Sequence, residues 1–240
     1  MVHIYHNLPD EPYKKFFGRQ ESIEKMWETL IEGGTFIASI DGVGGIGKTA
    51  LAYYFCKEIL IPRKVFDYIV WFTVKDTVFD PFSNEQLIKR INVNFRGVEG
   101  LIDTILGTVG FEDIIQNDFN EKKNFLEDEI LGKEKIFIVI DNIETIEDDT
   151  FFSYITKDFN RISYYNRNLK ILTTSRKRKK IADFPIEIEG LQIEDALKML
   201  KYLAKEYKIK DIINATDHDN IKLLEKVGCI PLGIEFIIGQ

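Results

Sequence analysis

The stretch that decides the fold is Gly42-Val43-Gly44-Gly45-Ile46-Gly47-Lys48-Thr49. It satisfies the pattern G-x-x-x-x-G-K-[ST] at every fixed position. An apolar run at Thr35–Ile40 precedes it, and a helical pattern at Lys48–Ile61 follows. A strand, a glycine-rich turn and a helix in that order are the context in which this pattern forms a phosphate-binding loop. The stretch therefore predicts a site for the phosphates of a nucleotide.

Each residue type in this loop has a chemical reason. Glycines let the loop curl, so that successive backbone N–H groups point inward and bind an anion. The helix that begins near Lys48 adds its positive end beneath the phosphates. The Lys48 ammonium can reach the β- and γ-phosphates, and the Thr49 hydroxyl can bind Mg²⁺. The predicted nucleotide contacts in the loop are Gly42, Gly44, Gly45, Ile46, Gly47, Lys48, Thr49 and Ala50.

The loop also contains the dinucleotide-binding pattern G-x-G-x-x-G, and Asp67 lies downstream of it. In a dinucleotide fold, a carboxylate about 20 residues further on binds the ribose. Asp67, however, precedes the predicted strand Tyr68–Val74, whereas a ribose-binding carboxylate belongs at the end of its strand. A dinucleotide fold also gives no reason for Lys48-Thr49. We therefore prefer the phosphate loop of an ATPase.

Short apolar runs alternate with helical patterns along the chain, which indicates a parallel sheet covered by helices. The predicted strands are Thr35–Ile40, Tyr68–Val74, Lys135–Ile140, Leu169–Thr173 and Pro185–Ile188. The predicted helices are Gln20–Glu32, Lys48–Ile61, Asn84–Asn94, Lys122–Leu131, Glu194–Tyr207 and Asp219–Val227. For residues 97–120 the sequence predicts no definite element.

The fold class expected is α/β: a P-loop NTPase three-layer sandwich with a mostly parallel sheet, followed by a small helical subdomain. No strand is predicted after Ile188, so residues 1–189 are expected to form the nucleotide-binding domain. Residues 190–240 then begin the helical subdomain. Because the apolar segment Ile234–Ile238 runs up to the last residues, we expect this chain to be part of a longer protein.

Composition and charge exclude several classes of protein. A net charge of −7 gives no overall attraction to nucleic acid, whose binding relies on Lys and Arg to neutralise phosphates. Cys56 and Cys229 are too few for a disulfide framework. The most hydrophobic run, Ile136–Ile140, is far shorter than the roughly 20 residues that span a bilayer, and Met1–Phe17 lacks a signal-peptide core. We therefore expect a cytoplasmic protein without membrane or nucleic-acid partners.

The run Ile136–Ile140 ends in Asp141, which predicts a carboxylate at the edge of the sheet beside the phosphate loop. There Asp141 would hold Mg²⁺ through water, while Thr49 binds it directly. An Asp after a strand is otherwise a common turn or cap residue. Asn142 follows where many hydrolytic ATPases carry a second acid, and an amide cannot accept a proton from water near neutral pH. Glu144 is the nearest replacement for the catalytic base, with a solvated loop acid as the alternative.

The strand Leu169–Thr173 leads into Thr174-Ser175-Arg176, which can present donors to a γ-phosphate and so distinguish ATP from ADP. Arg176 also begins the basic run Arg176–Lys180. Such runs are usually solvated faces or electrostatic patches. We assign Arg176 to the γ-phosphate and the other four residues to solvent. A contact with nucleic acid or an acidic partner is the alternative.

These elements, in this order, resemble the STAND class of signal-transduction ATPases, and within it the NB-ARC domain of apoptotic and plant resistance proteins. The resemblance covers about residues 16–240. It rests on a loop of the form G-x-G-G-x-G-K-T and on five further segments. These are a hydrophobic-Gly-Arg-Glu entry motif at Phe16–Glu21, a Trp-bearing second strand at Phe66–Val74, an Asp-Asn-x-Glu segment at Ile138–Glu144 that is frequent in bacterial members, a sensor strand at Leu172–Arg176 and a G-x-P-L element at Gly228–Gly233.

The resemblance implies further site residues and a mechanism. Phe17 and Arg19 become contacts of the adenine, and Pro231 closes over the nucleotide from the helical side. ADP favours a closed form, and ATP favours an open form that self-associates. A winged-helix domain, sensor repeats and an effector domain are expected on the same full-length polypeptide. ATP hydrolysis would be slow and serve as a switch, and antiviral defence in bacteria is one plausible output.

Three alternatives stay open at this point. An AAA+-type DNA-associated ATPase would share the phosphate loop, Asp141 and the sensor strand. A module that binds nucleotide without hydrolysing it is compatible with Asn142. A small-molecule kinase would need an acceptor site or lid, for which the sequence shows no pattern.

Overall fold

A computed structural model describes residues 4–73, 97–166, 168–176 and 182–239 of the chain. Its centre is a sheet in which every described strand pair is parallel. The strands are Tyr5–His6 (β1), Ile37–Asp41 (β2), Tyr68–Thr73 (β3), Ile136–Asp141 (β4), Leu169–Ser175 (β5) and Phe184–Glu187 (β6). Their order across the sheet is β1-β3-β4-β5-β2-β6.

The five predicted strands are confirmed, with ends that differ by one or two residues. Strands β2, β4 and β5 are buried along their whole length, because helices cover both faces of the sheet. The sequence did not predict β1, which is two residues long and pairs with Tyr68 and Ile69 of β3. Val74, the predicted last residue of β3, lies outside the described residues.

The helices of the sheet domain begin with Gln20–Trp27 (α1) and Lys48–Tyr54 (α2). Helix α1 continues in π-helical form over Glu28–Glu32, and α2 continues through Phe55–Leu60 to Ile61–Arg63. Then come Val98–Val109 (α3) and Phe119–Phe125 (α4), which continues over Leu126–Leu131. Asp149–Ser153 (α5) continues through Tyr154–Asp158 to Phe159–Asn166. Short 3₁₀ turns occupy Glu112–Gln116 and Ile143–Thr145.

The remaining helices all follow β6. They are Ile193–Glu206 (α6), Lys210–Asn214 (α7), Asp217–Lys226 (α8) and Pro231–Gly239 (α9). The sequence predicted α1, α2, α4, α6 and α8, and it missed α3, α5 and α7. The predicted helix Asn84–Asn94 lies outside the described residues. No helix in the described part of the chain combines the length and the apolar character needed to cross a membrane.

The core of the sheet domain has two halves, one on each face of the sheet. Along β4, Ile138 and Ile140 pack on the side of α3 to α5, whereas Phe137 and Val139 pack on the side of α1 and α2. This alternation follows from the two-residue period of a strand. Trp71 of β3 is buried in the second half, in edge contact with Tyr53, so its role is packing. The result is the three-layer α/β sandwich.

A third apolar cluster holds α6 to α9 together and makes the predicted helical subdomain. Its link to the sheet domain is close-packed at Gly190. A Cβ atom at Gly190 would lie 2.1 Å from the carbonyl oxygen of Gly228, so only glycine fits there. Next to it, the Leu191 N–H donates a 2.9 Å hydrogen bond to the Cys229 carbonyl. The segment that enters α6 is thereby fixed to the segment that precedes α9.

Candidate nucleotide-binding site

Three adjacent strands bring the predicted site residues to one edge of the sheet. Strands β4, β5 and β2 are neighbours, and they end at Asp141, Ser175 and Asp41. In parallel α/β sheets, ligands bind beyond the carboxyl ends of the strands. The phosphate loop leaves β2 at this edge and leads directly into α2. The site is therefore built where the fold class predicts it.

The loop itself has the backbone that its glycines predict. Gly45 has φ 75° and Gly47 has φ 99°, in the left-handed region where a Cβ atom is strained. Gly47 immediately precedes the first residue of α2. Val43 and Gly44 at the tip of the loop are exposed to solvent. The loop thus presents a helix start on its inner side and an open rim.

Lys48 lies over the first turn of this loop. Its Nζ atom donates to the carbonyl oxygens of Gly42 at 2.8 Å and Val43 at 3.0 Å, and the residue is only 7% exposed. Burial lowers the pKa of Lys48, and the carboxylate of Glu144 is the charge that opposes this most strongly. The ammonium is therefore held in the loop by these two carbonyl oxygens.

Asp141 and Thr49, the two predicted magnesium ligands, are in contact. Oγ1 of Thr49 donates to Oδ1 of Asp141 at 2.9 Å, and Oγ1 of Thr174 donates to the same oxygen at 2.6 Å. The Asn142 side-chain amide donates to Oδ2 at 2.8 Å. Carboxylate and hydroxyl oxygens suit Mg²⁺, which usually takes its other ligands from water and nucleotide phosphates. Among the described residues no group of three His, Cys, Asp or Glu side chains could hold a metal alone.

Asn142 is held in a left-handed conformation, with φ 59° and ψ 47°, which Asn tolerates better than most residues. Its N–H donates to Oγ1 of Thr174 at 2.9 Å, and its carbonyl accepts from Thr145. The resulting 3₁₀ turn carries Glu144 back toward the site. Sequence reasoning placed Thr174 among the sensor residues, and it missed that its hydroxyl supports both Asp141 and Asn142.

Glu144 and Arg176, predicted as base and γ-phosphate sensor, form an ion pair. Oε1 of Glu144 lies 3.3 Å from Nε of Arg176, whose side chain is 62% exposed. Arg176 also lies above the loop, because a Cβ atom at Gly44 would be 3.9 Å from its Nε and Cζ atoms. The other residues of the basic run, 177–180, lie outside the described residues.

Of the two predicted adenine contacts, Arg19 reaches the loop and Phe17 lies on the helical side. Arg19 has φ 68° and donates from Nη2 to the Ile46 carbonyl at 2.9 Å. Burial lowers the pKa of its guanidinium. The Phe17 ring packs against Tyr202 of α6, with ring centroids 5.6 Å apart.

Helix α9 touches the phosphate loop directly. The Leu232 N–H donates to the Gly45 carbonyl at 3.2 Å, and a Cβ atom at Gly45 would lie 2.6 Å from Cβ of Leu232. A Cβ atom at Gly47 would lie 3.7 Å from Cγ of Pro231, the residue predicted to close the site. Sequence reasoning named Pro231 and missed Leu232, although the G-x-P-L element contains both.

The family model and the relatives that this chain matches indicate the same family. Residues 19–210 match the NB-ARC domain. The disease resistance protein UNI of Arabidopsis thaliana is 21% identical over 242 residues, covering 97% of this chain and 24% of that protein. The TMV resistance protein N of Nicotiana glutinosa is 26% identical over 183 residues, covering 75% of this chain and 14% of that protein. The chain therefore spans a quarter or less of the length of these relatives.

Solved structures show the same fold at low sequence identity. A Walker-type ATPase of Pyrococcus abyssi superposes with a TM-score of 0.61 at 15% identity, covering 97% of this chain and 69% of that chain. Cdc6p of Pyrobaculum aerophilum superposes with a TM-score of 0.56 at 12% identity, covering 83% of this chain and 52% of that chain. At such identities the likeness shows the fold alone, which is that of P-loop ATPases.

Proposed function

This chain belongs to the NB-ARC domain family, and on that premise we propose that it binds ATP or ADP with Mg²⁺ as the nucleotide-dependent switch of a larger signal-transduction ATPase. One observation carries the proposal. Lys48, Thr49 and Asp141 converge on the glycine-rich loop, with the Thr49 hydroxyl 2.9 Å from the Asp141 carboxylate. Lys48 serves the phosphates, and the other two residues serve the metal.

The residues of the site divide this work among them. The inward N–H groups of the loop and the start of α2 bind the β-phosphate, while the Lys48 ammonium reaches between the β- and γ-phosphates. Thr49 and Asp141 hold Mg²⁺, which neutralises phosphate charge when bound. Thr174 and Asn142 keep the Asp141 carboxylate in place through their hydrogen bonds of 2.6 and 2.8 Å. Arg176 detects the γ-phosphate, and Arg19 supports the loop beside the base.

The helical subdomain is the part that reports the nucleotide state. We divide the chain into residues 1–189, which bind the nucleotide, and residues 190–240, which close over it. The contact of Leu232 and Pro231 with Gly45 and Gly47 supports this division of roles. A ligand shifts a two-state equilibrium only by its different affinity for the two states. The γ-phosphate contact of Arg176 is therefore where ATP and ADP must differ.

Slow hydrolysis of ATP is compatible with a nucleotide-dependent switch. Asn142 replaces the acid that would activate water, and its amide is already bonded to Asp141. Glu144, the acid that the sequence offers as a replacement base, pairs with Arg176. These two observations also favour a second candidate, a module that holds nucleotide without turnover. Self-association on activation, effector and sensor domains on the same polypeptide, a cytoplasmic location and a role in bacterial antiviral defence belong to the proposal through the resemblance.

The nucleotide that co-purifies with the protein tests the proposal. We expect tightly bound ADP, released on denaturation, and slow ATP turnover that DNA does not stimulate. Lys48→Ala should abolish nucleotide binding, whereas Lys57→Ala, at an exposed position further along the same helical segment, should not. An unchanged affinity in Lys48→Ala would contradict the phosphate-loop assignment. Fast turnover stimulated by DNA would instead support a DNA-associated ATPase.

A further inference from the structure

Glu144 forms an ion pair with Arg176, the cation assigned to the γ-phosphate. Its Oε1 atom lies 3.3 Å from Nε of Arg176. A carboxylate is thus in contact with the sensor arginine.

The chain holds this carboxylate in place from both sides. Ile143 and Ile146, which flank it, are buried in the core of the sheet domain. The left-handed Asn142 starts the turn, and Thr145 closes it with two hydrogen bonds to the Asn142 carbonyl. The Glu144 side chain is only 16% exposed, and its Oε2 atom is buried without a hydrogen-bond partner among the described residues. Such a group is positioned by the backbone and is not a freely solvated loop acid.

We propose that the Glu144 carboxylate competes with the γ-phosphate of ATP for Arg176, and so sets the preference of the site for ADP over ATP. The inference rests on the proposed function. ADP carries no γ-phosphate, so the Glu144–Arg176 pair is kept when it binds. ATP brings a second anion to the same arginine, and like charges that share a site disfavour each other. Glu144 is thereby a specificity-determining residue for the nucleotide state.

The expected size of the effect follows from the exposure of the pair. Ion pairs with a solvent-exposed partner contribute modestly, and losing this competitor should raise the affinity for ATP by about two- to five-fold. The affinity for ADP should be unchanged. A purely catalytic role for Glu144 predicts a different result, namely slower hydrolysis with both affinities unchanged.

Equilibrium binding with Mg²⁺ tests the proposal, using ADP and a non-hydrolysable ATP analogue as probes. Glu144→Gln should bind the analogue about two- to five-fold more tightly and ADP as the wild type does. Glu147→Gln, which neutralises an exposed acid three residues further on, should change neither affinity. In an Arg176→Ala background Glu144→Gln should no longer change the affinity for the analogue, because the cation for which the two anions compete is gone. Glu144→Asp keeps the charge on a shorter side chain. Its ratio of the affinities for the ATP analogue and ADP should lie between those of the wild type and Glu144→Gln.

Two failures are distinguishable. If the wild type binds both nucleotides and the ratio of their affinities is the same in Glu144→Gln and Glu144→Asp, the competition is overturned and the proposed function stands. If the wild type binds neither nucleotide, the proposed function fails and this inference fails with it. Melting temperatures near the wild-type value confirm that each variant is folded, and Glu144→Asp supplies the comparison if Glu144→Gln does not fold.

Discussion

The Thr49 hydroxyl donates a 2.9 Å hydrogen bond to the Asp141 carboxylate, although the two residues are 92 positions apart in the sequence. One residue lies in the first turn of α2 and the other ends β4, so the bond connects the phosphate loop to the strand two places away in the sheet. The same oxygen accepts from Thr174 of β5. Asp141 therefore ties together three elements of the site, and we expect its charge to matter to their stability as well as to the proposed binding of Mg²⁺.

Asp141→Asn should weaken both metal-dependent binding and the fold. The carboxylate accepts from three side chains, and an amide would turn a donor toward one of them. An unsatisfied buried polar group costs about 1–3 kcal/mol, which urea denaturation would detect. The affinity for ADP should also lose its dependence on Mg²⁺, measured with and without a chelator. Asp128→Asn, at an exposed position, is the control, and a variant that retains the full Mg²⁺ dependence would remove Asp141 from the metal site.

Two Gly→Ala changes should have opposite effects on stability. A Cβ atom at Gly190 would meet the Gly228 carbonyl at 2.1 Å, and overpacking of this kind costs about 1–3 kcal/mol. At Gly107, inside α3, the added Cβ makes ordinary contact at 3.6 Å with Ile115. Alanine there should stabilise by about 0.5–1 kcal/mol through helix propensity. Urea midpoints for both variants measure the contrast, and equal midpoints would contradict the close packing at Gly190.

Arg19→Ala should weaken nucleotide binding through the loop. The lost hydrogen bond to the Ile46 carbonyl joins a half-buried charged donor to the phosphate loop, and such bonds contribute about 1.5–3 kcal/mol. Arg19→Lys should restore less than half of the loss if the position and planarity of the guanidinium matter. Calorimetric titration with ADP measures both variants. Arg161→Ala removes a solvent-exposed arginine and serves as the control; if it costs as much affinity as Arg19→Ala, the loop contact is not the cause.

The affinity for ADP should fall at alkaline pH because of Lys48. Burial places the pKa of Lys48 below its ordinary value of 10.5, so its ammonium loses the proton before a solvent-exposed lysine does. The neutral amine no longer attracts phosphate, and binding weakens as the pH rises through the lowered pKa. Glu144 raises that pKa, so Glu144→Gln should move the midpoint to lower pH.

Measuring the affinity for ADP from about pH 7 to pH 10 tests the direction of this change. Phosphates stay ionised throughout this range, and exposed lysines have pKa values near 10.4. Lys57→Ala, at an exposed position, is the control and should keep the wild-type midpoint. A midpoint that moves upward in Glu144→Gln would contradict the electrostatic relation between the two residues.

Sequence reasoning captured the sheet because its strands are short, apolar and bounded by turn residues. It predicted that Lys48, Thr49 and Asp141 lie beside the phosphate loop, where the structure has them, because their spacing from predicted elements is fixed by the fold. It missed α5, where Phe151, Phe152 and Tyr154 have low helix propensity and tertiary packing decides the conformation. The start of this helix could have been recognised, however, because an Asp stands at the N-cap position. The Asp148 carboxylate accepts a hydrogen bond from the N–H of Thr150.

The contacts of the site that the sequence did not predict were missed for a different reason. The Glu144–Arg176 pair and the contact of Leu232 with Gly45 join side chains and backbone that are distant along the chain. No local pattern encodes such contacts. Helix α3 was missed for a simpler reason, since Gly100, Gly107 and two threonines weaken its helical pattern.

The contact of Leu232 with Gly45 limits which substitutions this chain can accept in the loop. The Leu232 N–H of the helical subdomain donates a hydrogen bond to the Gly45 carbonyl, and Gly45 itself has no side chain. The side chain at neighbouring positions, such as the exposed Val43, can therefore be replaced without altering the contact between Leu232 and Gly45. A residue larger than glycine at position 45 should displace Leu232 from the loop. In a saturation library scored for function, we expect broad tolerance at 43 and almost none at 45, because the proposed coupling between nucleotide and helical subdomain would pass through main-chain atoms.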